Sequence, residues 1–420
     1  MSKKDARGPK PAAKGGRRDP RAEADRFVDL GIAAIAGQRQ REAVTAFNKA
    51  LQVNPSSLDA HMNLGTLLTH LGQQRSAVLH LKRALSLGAR EPKVAEDASW
   101  ALLHLGRWDL ALPVLTKILA ANPNDATALA RLGFAYTQNG RRTEAVAALA
   151  RSAELEPSRA DTHYELYRAL YDDRLPAASL PALELAVTCN PDSLVYRFEL
   201  GVLLDQCGDA RGAREMFDGL GPGHHAGALE SWHYIKSRRT PSTRIFSSTR
   251  ETLMAGITAA RPDGCTLEFG VRYGISTRWL AEKVETVHGF DSFEGLPEQW
   301  HVQPQGAYTT HGEMPELPPN VKLHVGWFDA TLPAFANENP EPVRFINVDC
   351  DLYSSTKIVF DQLAHRIHAG TVLVFDEYVI NDRWKDDEFK AFQEAVAEHK
   401  WRYEYLAFSV TDFQGAVRIL

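Results

Sequence analysis

The sequence predicts two folds in succession: an α-solenoid of paired helices in the first half, and an α/β domain with a mostly parallel, seven-stranded sheet in the second. Two observations lead to this prediction. The first half repeats itself with a period of 34 residues, which is typical of stacked helical pairs. From residue 265 onward, short apolar runs alternate with helix-like stretches, which is typical of a parallel sheet with helices on both faces.

Composition and charge exclude several classes of protein. With 44% hydrophobic residues and a mean hydropathy of −0.30, no membrane span is expected. The first 21 residues hold eight Lys or Arg and two Asp, and residues 1–23 are expected to form a disordered basic tail. Removing this +6 from the whole-chain charge of −5 leaves −11, which disfavours a core that binds nucleic acid. Four cysteines without a pattern favour a cytoplasmic location.

Residues 24–224 are predicted to form about six repeats of two amphipathic helices. A complete repeat has a Leu-Gly pair where helices approach closely, an Ala where they cross and a Pro that ends the second helix. The second repeat has Ala89 in place of Pro, the third has Ser99 in place of Gly, and the fifth has Tyr167 and Ser179 in place of Gly and Ala. The grid comprises Leu30-Gly31, Leu64-Gly65, Leu132-Gly133 and Leu200-Gly201, then Ala43, Ala77, Ala145 and Ala213, and finally Pro55, Pro123, Pro157 and Pro191. This pattern resembles the tetratricopeptide repeat (TPR) family. The resemblance implies a superhelix whose concave face holds a peptide, a partner protein or the next domain of the chain.

A linker and a lead-in helix are predicted for residues 225–260. The stretch 221–227 is rich in Gly and His and contains a Pro, so it indicates a boundary. Residues 231–246 combine aromatic and basic side chains and are expected to form a lid or a docking segment. A helix is expected near residues 249–260.

Residues 261–420 are predicted to form a Rossmann-like α/β domain whose outline is that of the class I methyltransferase fold. Strands are predicted at 266–270, 286–291, 321–325, 343–349, 371–375, 401–408 and 416–420, and helices near 276–284, 332–337, 354–368 and 386–399. The last two strands are close together, which indicates a terminal antiparallel hairpin. A fold outline alone does not establish function.

The first strand and its turn read L-E-F-G-V-R-Y-G-I-S-T. Gly270 and Gly274 allow a tight turn that approaches a ligand closely, and Ser276 and Thr277 begin a helix whose N–H groups favour a carboxylate. The spacing departs from G-x-G-x-x-G, which disfavours NAD. The turn resembles that of S-adenosylmethionine-binding proteins, with Glu268 as the acidic residue before the loop.

The second strand places Asp291 at its tip, about twenty residues beyond the first glycine. An acidic side chain at this point can accept hydrogen bonds from both ribose hydroxyls, and the alternative is a helix-capping aspartate. After the third strand, Trp327 or Phe328 borders the adenine or belongs to the core. The predicted cofactor-binding residues are Glu268, Gly270, Tyr273, Gly274, Ser276, Thr277, Asp291 and Ser292.

Acidic residues follow two further strands. The fourth strand leads into V-D-C-D-L-Y-S-S-T with Asp349 and Asp351, and the fifth ends in Asp376 and Glu377. Because these strands are neighbours in this topology, we expect the four carboxylates to converge at one edge of the sheet. Such a group of oxygen ligands suits Mg²⁺ or Ca²⁺. The alternative is a set of separate helix caps and surface acids.

In this order, the segments E-F-G-V, F-D-S-F-E-G-L-P, V-D-C-D-L-Y-S-S-T and V-F-D-E-Y resemble the macrocin O-methyltransferase family, which methylates sugar hydroxyls with S-adenosylmethionine and Mg²⁺. The resemblance covers residues 265–420. It implies that Asp349, Asp376 and Glu377 hold the metal and that Asp351 is the general base. Glu377 stands where the family usually has Asp, and Cys350 replaces its usual Gly. The antibiotic-tailoring enzymes lack a repeat array, so their acceptors are not carried over.

The sequence therefore predicts an S-adenosylmethionine-dependent, Mg²⁺-assisted O-methyltransferase that acts on a hydroxyl of a sugar, glycan or related small molecule. The repeats are expected to dock a protein or peptide partner, or the acceptor. Two alternatives remain open. One is a metal-dependent glycosyltransferase, because D-x-D after an apolar strand also binds a sugar nucleotide through a metal. The other is an interaction scaffold with a degenerate enzyme domain.

Overall fold

A computed structural model describes residues 19–88, 91–220 and 225–420. Residues 1–18 of the predicted basic tail and residues 221–224 of the predicted boundary lie outside the described residues. In the described part of the chain, no helix combines the length and the apolar character needed to cross a bilayer.

The first half consists of helices that follow one another in pairs. They are α1 (Pro20–Ala36), α2 (Gln40–Val53), α3 (Leu58–His70), α4 (Gln74–Leu87), α5 (Pro92–His104), α6 (Trp108–Ala121), α7 (Ala126–Gln138), α8 (Arg142–Leu155), α9 (Ala160–Leu170), α10 (Leu180–Cys189), α11 (Leu194–Gln206) and α12 (Ala210–Asp218). Below, α1–α12 are called the array.

Glycine in the Leu-Gly pairs marks close contact between the two helices of a pair. A Cβ atom on Gly31 would lie 2.4 Å from the ring of Phe47, and one on Gly133 would lie 2.4 Å from Leu149. No side chain fits at these two positions without displacing the partner helix, which confirms the predicted close approach. In the third pair, Ser99 takes the place of glycine and is fully buried.

The second half is built around one sheet. Its elements are α13 (Ala226–Arg238), β1 (Arg244–Phe246), α14 (Thr249–Ala259), β2 (Cys265–Phe269), α15 (Ile275–Ala281), β3 (Val287–Asp291), β4 (Val321–Val325), α16 (Phe328–Glu338), β5 (Val343–Val348), α17 (Tyr353–Leu363), β6 (Ile367–Phe375), α18 (Glu388–His399), β7 (Tyr403–Ser409) and β8 (Gly415–Ile419). Short 3₁₀ turns occur at Pro176–Ala178 and Ala364–Arg366.

The strands lie in the order β1-β7-β8-β6-β5-β2-β3-β4. Strand β8 runs antiparallel to β6 and β7, as the predicted hairpin requires, and the other neighbouring pairs are parallel. The prediction of seven strands is wrong, because the described sheet has eight. The additional strand, β1, lies in the segment predicted as a lid or docking segment. Its three residues are too few for strand alternation to be recognisable in the sequence.

The array packs against the second half of the chain. Trp108 of the array stacks on Trp279 of α15, with ring centroids 5.5 Å apart. The amide nitrogen of Arg75 donates to Glu313 at 3.0 Å, and the Arg278 guanidinium donates to the Gly106 carbonyl at 3.3 Å. One continuous apolar core includes residues of both halves. The array is therefore held over the sheet by apolar and polar contacts together.

Arg168 forms the most buried ionic contact between the halves, and we expect its loss to be costly. Its guanidinium donates to both carboxylate oxygens of Asp412 at 2.9 Å and to the Ser247 carbonyl at 3.1 Å. Replacing Arg168 with alanine leaves Asp412 without its cation, and the Asp412 side chain is only 22% exposed. The expected loss in the free energy of unfolding is about 3 to 5 kcal/mol, measured by chemical denaturation.

Arg211→Ala is the matched control for this prediction. Arg211 pairs with Glu215 on the array surface, where the two side chains are 90% and 60% exposed. Exposed ion pairs contribute about 0 to 1 kcal/mol, so we expect little change. Equal effects of the two substitutions would show that Arg168 does not hold the halves together.

Candidate active site

The turn between β2 and α15 comes very close to the end of β5. Gly270 has a φ of +92°, and a Cβ atom there would lie 1.7 Å from the carbonyl oxygen of Asp349. Gly274 has a φ of +67° and precedes α15. Both positions therefore require glycine, and the bare backbone of the turn at Gly270 faces a large cavity.

Asp291 at the end of β3 holds this turn in place. Its Oδ2 accepts hydrogen bonds from the amides of Val271 at 2.9 Å and Arg272 at 2.7 Å, and its Oδ1 accepts one from Phe293 at 2.6 Å. Arg272 has a φ of +46°, so the aspartate stabilises a backbone conformation that is otherwise unfavourable. Asp291 also lines the cavity, and its oxygens have lone pairs left for further donors.

The predicted cofactor residues divide into two groups. Those that line the cavity are Gly270, Tyr273, Ser276, Asp291 and Ser292. The other three, Glu268, Gly274 and Thr277, are buried behind the turn and do not line it. Trp327 and Phe328 both line the cavity, and Phe328 also packs edge-on against Phe269 with centroids 5.2 Å apart.

Glu268 is fully buried between β2 and β5. Its Oε1 accepts a hydrogen bond from the side-chain amide of Asn347 at 3.0 Å, whereas its Oε2 has no hydrogen-bond partner. Burial raises the pKa of this carboxyl group above its ordinary value. Glu268 therefore supports the turn from below, and a direct contact with a ligand would need the turn to move.

The four predicted acids at the sheet edge, Asp349, Asp351, Asp376 and Glu377, all line the same cavity. Strands β5 and β6 are neighbours, and the amide of Asp376 donates to the Val348 carbonyl at 3.0 Å. Asp351 lies beyond the strand and has a φ of +60°. The four acids therefore lie together at one edge of the sheet, as the predicted order of strands requires.

Burial, and then the charges of neighbouring acids, raise the pKa of every member of this group. The pKa of Asp376 rises to about 6, that of Asp351 to about 7 and that of Glu377 to about 8. The pKa of Asp349 is also held well above its ordinary value. Near neutral pH the group is therefore only partly ionised, which lowers the mutual repulsion of its members.

The structure does not support the predicted magnesium site at Asp349, Asp376 and Glu377. Throughout residues 19–88, 91–220 and 225–420, no three His, Cys, Asp or Glu side chains are arranged as ligands of one ion. Ion binding requires several oxygens at similar, short distances from one point. As arranged in the described residues, Asp349, Asp376 and Glu377 do not form such a set of ligands.

Two residues near the acids were missed by sequence reasoning. Glu388 is fully buried at the start of α18, where its Oε2 accepts a hydrogen bond from the amide of Glu377 at 3.1 Å. Gln414 donates from its side-chain amide to Oδ1 of Asp376 at 2.6 Å. Neither belongs to a motif, because tertiary structure brings them to the site from the start of a helix and from the terminal hairpin. The available signal in the sequence was that Glu388 is an acidic residue near the start of the helix predicted at 386–399. Gln414 had no comparable signal.

The cavity has a volume of about 1450 Å³ and is lined by both halves of the chain. The array contributes residues from α5, α7 and α9 and Trp108 at the start of α6, and the sheet contributes the turn after β2 and the ends of β3, β5 and β6. The candidate active site therefore lies between the array and the carboxyl ends of the strands, where ligands bind in open α/β sheets.

Protein-family models match part of each half of the chain. A family model described as a methyltransferase domain matches residues 267–378. Two tetratricopeptide repeat models match residues 28–92 and 102–170. The residues matched by the methyltransferase model include the glycine turn, Asp291 and all four acids of the sheet edge.

Part of this chain is also similar to several solved structures. PilF of Pseudomonas aeruginosa is 21% identical with a TM-score of 0.43, and the alignment covers 52% of this chain and 99% of that chain. PilW, a type IV pilus biogenesis factor, is 20% identical with a TM-score of 0.40 and coverage of 47% and 92%. YrrB, a TPR protein with an unusual peptide-binding site, is 22% identical with a TM-score of 0.37 and coverage of 41% and 89%.

No curated protein matches this chain. The repeat models match the part of the chain that forms paired helices, and the methyltransferase model matches the part that forms the sheet. The chain carries TPR repeats, which suggest a protein or peptide partner, followed by a methyltransferase domain, which implies the use of S-adenosylmethionine.

Proposed function

We propose that this protein transfers the methyl group of S-adenosylmethionine to a hydroxyl oxygen of a sugar, glycan or related small molecule. The observation that supports this most directly is one shared cavity, into which both the glycine turn held by Asp291 and the carboxyl group of Asp351 open. The matching methyltransferase model spans both features. With every cysteine free, a reducing compartment is favoured, and we propose the cytoplasm as the location.

The chain has residues suited to bind and orient the cofactor. Bound S-adenosylmethionine supplies an electrophilic methyl group on a positively charged sulfur. The absence of a side chain at Gly270 allows close approach of a ligand to the backbone, and Asp291 is placed to accept hydrogen bonds from ribose hydroxyls in addition to holding the turn. Trp327, which is 38% exposed beside the cavity, offers an apolar face for a flat ring.

Asp351 is the proposed general base. With its pKa raised to about 7, a substantial fraction of its carboxylate is ionised at neutral pH and is more basic than that of an ordinary aspartate. As the acceptor oxygen forms its bond to the methyl carbon and the carbon–sulfur bond breaks, Asp351 takes the hydroxyl proton. The surrounding protein holds the reacting groups in line, which is a large part of the catalytic effect.

Transfer of a labelled methyl group tests this proposal. The full chain is incubated with S-adenosylmethionine carrying a tritiated methyl group and with a panel of glycosides, with and without EDTA. We expect label in an acceptor as an ether, which resists alkali, and an undiminished rate with EDTA, because the acids do not form a metal site.

Three other results of this experiment would each contradict one part of the proposal. Label that alkali releases would indicate methylation of a carboxylate. Loss of activity with EDTA that Mg²⁺ restores would show that Asp349, Asp376 and Glu377 rearrange around an ion. Failure to label any hydroxyl compound would contradict O-methylation.

A further inference from the structure

The cavity is larger than a cofactor needs, and the array forms one side of it. Pockets for small ligands usually measure about 300 to 1,000 Å³, whereas this one measures about 1450 Å³. The array residues that line it recur at helical spacing on α5, α7 and α9, which are the first helices of three consecutive pairs. One face of each of these helices therefore looks into the same space as the methyltransferase residues.

Aromatic rings form one part of this array wall. Trp100, His104 and Phe134 line the cavity, and the rings of Trp100 and His104 lie 3.9 Å apart, centroid to centroid. Trp100 and Phe134 are half-buried, so each keeps part of its ring accessible from the cavity. Such rings offer flat apolar surface to the C–H face of a ligand ring.

Polar atoms that lack a partner form the other part of the wall. The hydroxyl of Thr162, which is 1% exposed, and Oε2 of Glu165 are both buried without a hydrogen bond, and both residues line the cavity. Trp108, which also lines it, has an unpartnered indole N–H. Buried polar groups are normally satisfied, so these three atoms are well explained as ligand contacts.

The charges around the cavity indicate which ligand fits. Two of the arginines on the array side are paired with carboxylates, Arg159 with Asp161 at 2.9 Å and Arg168 with Asp412 at 2.9 Å. Arg131 donates to the uncharged Glu96 carbonyl at 3.0 Å and keeps its charge. The opposite wall carries the acid group that includes Asp349 and Asp351. An anionic ligand would be repelled by the acids of this opposite wall, whereas a neutral ligand with many hydroxyls could donate to them.

We propose that the inner face of the array is the acceptor-binding wall of the active site and that it holds a neutral, polyhydroxylated ring. Trp100 and Phe134 contact the apolar face of that ring, and Thr162 and Glu165 bind its hydroxyls. The proposal rests on the function proposed above and deepens it, because it assigns acceptor recognition to the repeats. We assign this part of the array to the methyl acceptor. Methylation of a peptide in the test below would instead indicate that a peptide binds there.

The test uses the full chain and two measurements. Calorimetric titration of S-adenosylhomocysteine reports the cofactor site. Methyl transfer to p-nitrophenyl glycosides of hexoses, 6-deoxyhexoses and N-acetylhexosamines reports the acceptor site. We expect Trp100→Ala and Glu165→Ala each to raise the KM for the best glycoside at least about tenfold, with the affinity for S-adenosylhomocysteine within about twofold of wild type.

Glu154→Ala is the matched control, because Glu154 lies on α8 with a side chain that is 65% exposed and does not line the cavity. We expect its KM to equal that of wild type. Glu165→Gln, which keeps one acceptor oxygen, is expected to recover part of the loss seen in Glu165→Ala.

Three results would overturn the proposal. The first is an unchanged KM in both alanine variants. The second is binding of S-adenosylhomocysteine without methylation of any glycoside, and the third is methylation of a peptide or an amine in their place. If S-adenosylhomocysteine does not bind to the wild-type chain, the proposed function itself fails, and this inference falls with it.

Discussion

Asp351→Asn is expected to slow methyl transfer by a factor of about 10² to 10⁴ while leaving the affinity for S-adenosylhomocysteine nearly unchanged. The amide cannot take the hydroxyl proton, whereas its size and shape match those of the carboxyl group. Asparagine also tolerates the φ of +60° at this position better than other residues do, so the loop keeps its conformation. Rates are measured in single-turnover experiments with tritiated S-adenosylmethionine.

Asp361→Asn controls for the change in charge. Asp361 lies on α17 with a side chain that is 48% exposed, and it does not line the cavity. We expect wild-type rates from this variant. A rate close to wild type in Asp351→Asn would show that another group, or water, takes the proton, and the assignment of Asp351 as base would be wrong.

Gly270→Ala is expected to abolish detectable binding of S-adenosylhomocysteine, which corresponds to a loss of more than about a hundredfold. The new Cβ would lie 1.7 Å from the Asp349 carbonyl oxygen, and the φ of +92° is unfavourable for alanine. The turn after β2 and the end of β5 must then separate, which displaces both the cofactor turn and the first acid of the sheet edge. Calorimetry measures the loss of binding, and circular dichroism checks that the chain remains folded.

Gly306→Ala separates steric clash from backbone strain. Gly306 has a φ of +80°, close to that of Gly270, yet a Cβ atom there would meet nothing within 4 Å. We therefore expect a cost of about 1 kcal/mol in stability and no change in cofactor affinity. Cofactor binding by Gly270→Ala at wild-type strength would contradict the close approach seen in the structure.

Regular patterns made much of the fold predictable from the sequence. The Leu-Gly pairs recur because paired helices touch at those glycines, as the contact of Gly31 with Phe47 shows. The apolar runs of β5 and β6 are long enough to be recognised as buried strands. Strand β1 was missed because three residues show no period, and its pairing with β7 depends on residues far along the chain.

The position of the acids at one edge of the sheet was predictable from the sequence, whereas the side chains that surround them were not. The order of strands placed Asp349 and Asp376 side by side, since carboxyl ends of neighbouring parallel strands share an edge. The sequence could not tell whether a cation or partial protonation relieves their repulsion, because both require the same residues. Nor could it show that Trp100 and Glu165 of the array face the acids, since that depends on how the two halves pack.

Calorimetric titration of S-adenosylhomocysteine into the full wild-type chain, beside a titration of a uridine diphosphate sugar, tests the central claim most directly. We predict one S-adenosylhomocysteine bound per chain and no heat of binding from the nucleotide sugar. Asp291→Ala should weaken the binding of S-adenosylhomocysteine, because it removes the carboxylate that holds the turn at Val271 and Arg272. Binding of the nucleotide sugar without binding of S-adenosylhomocysteine would contradict the methyltransferase account and favour a glycosyltransferase.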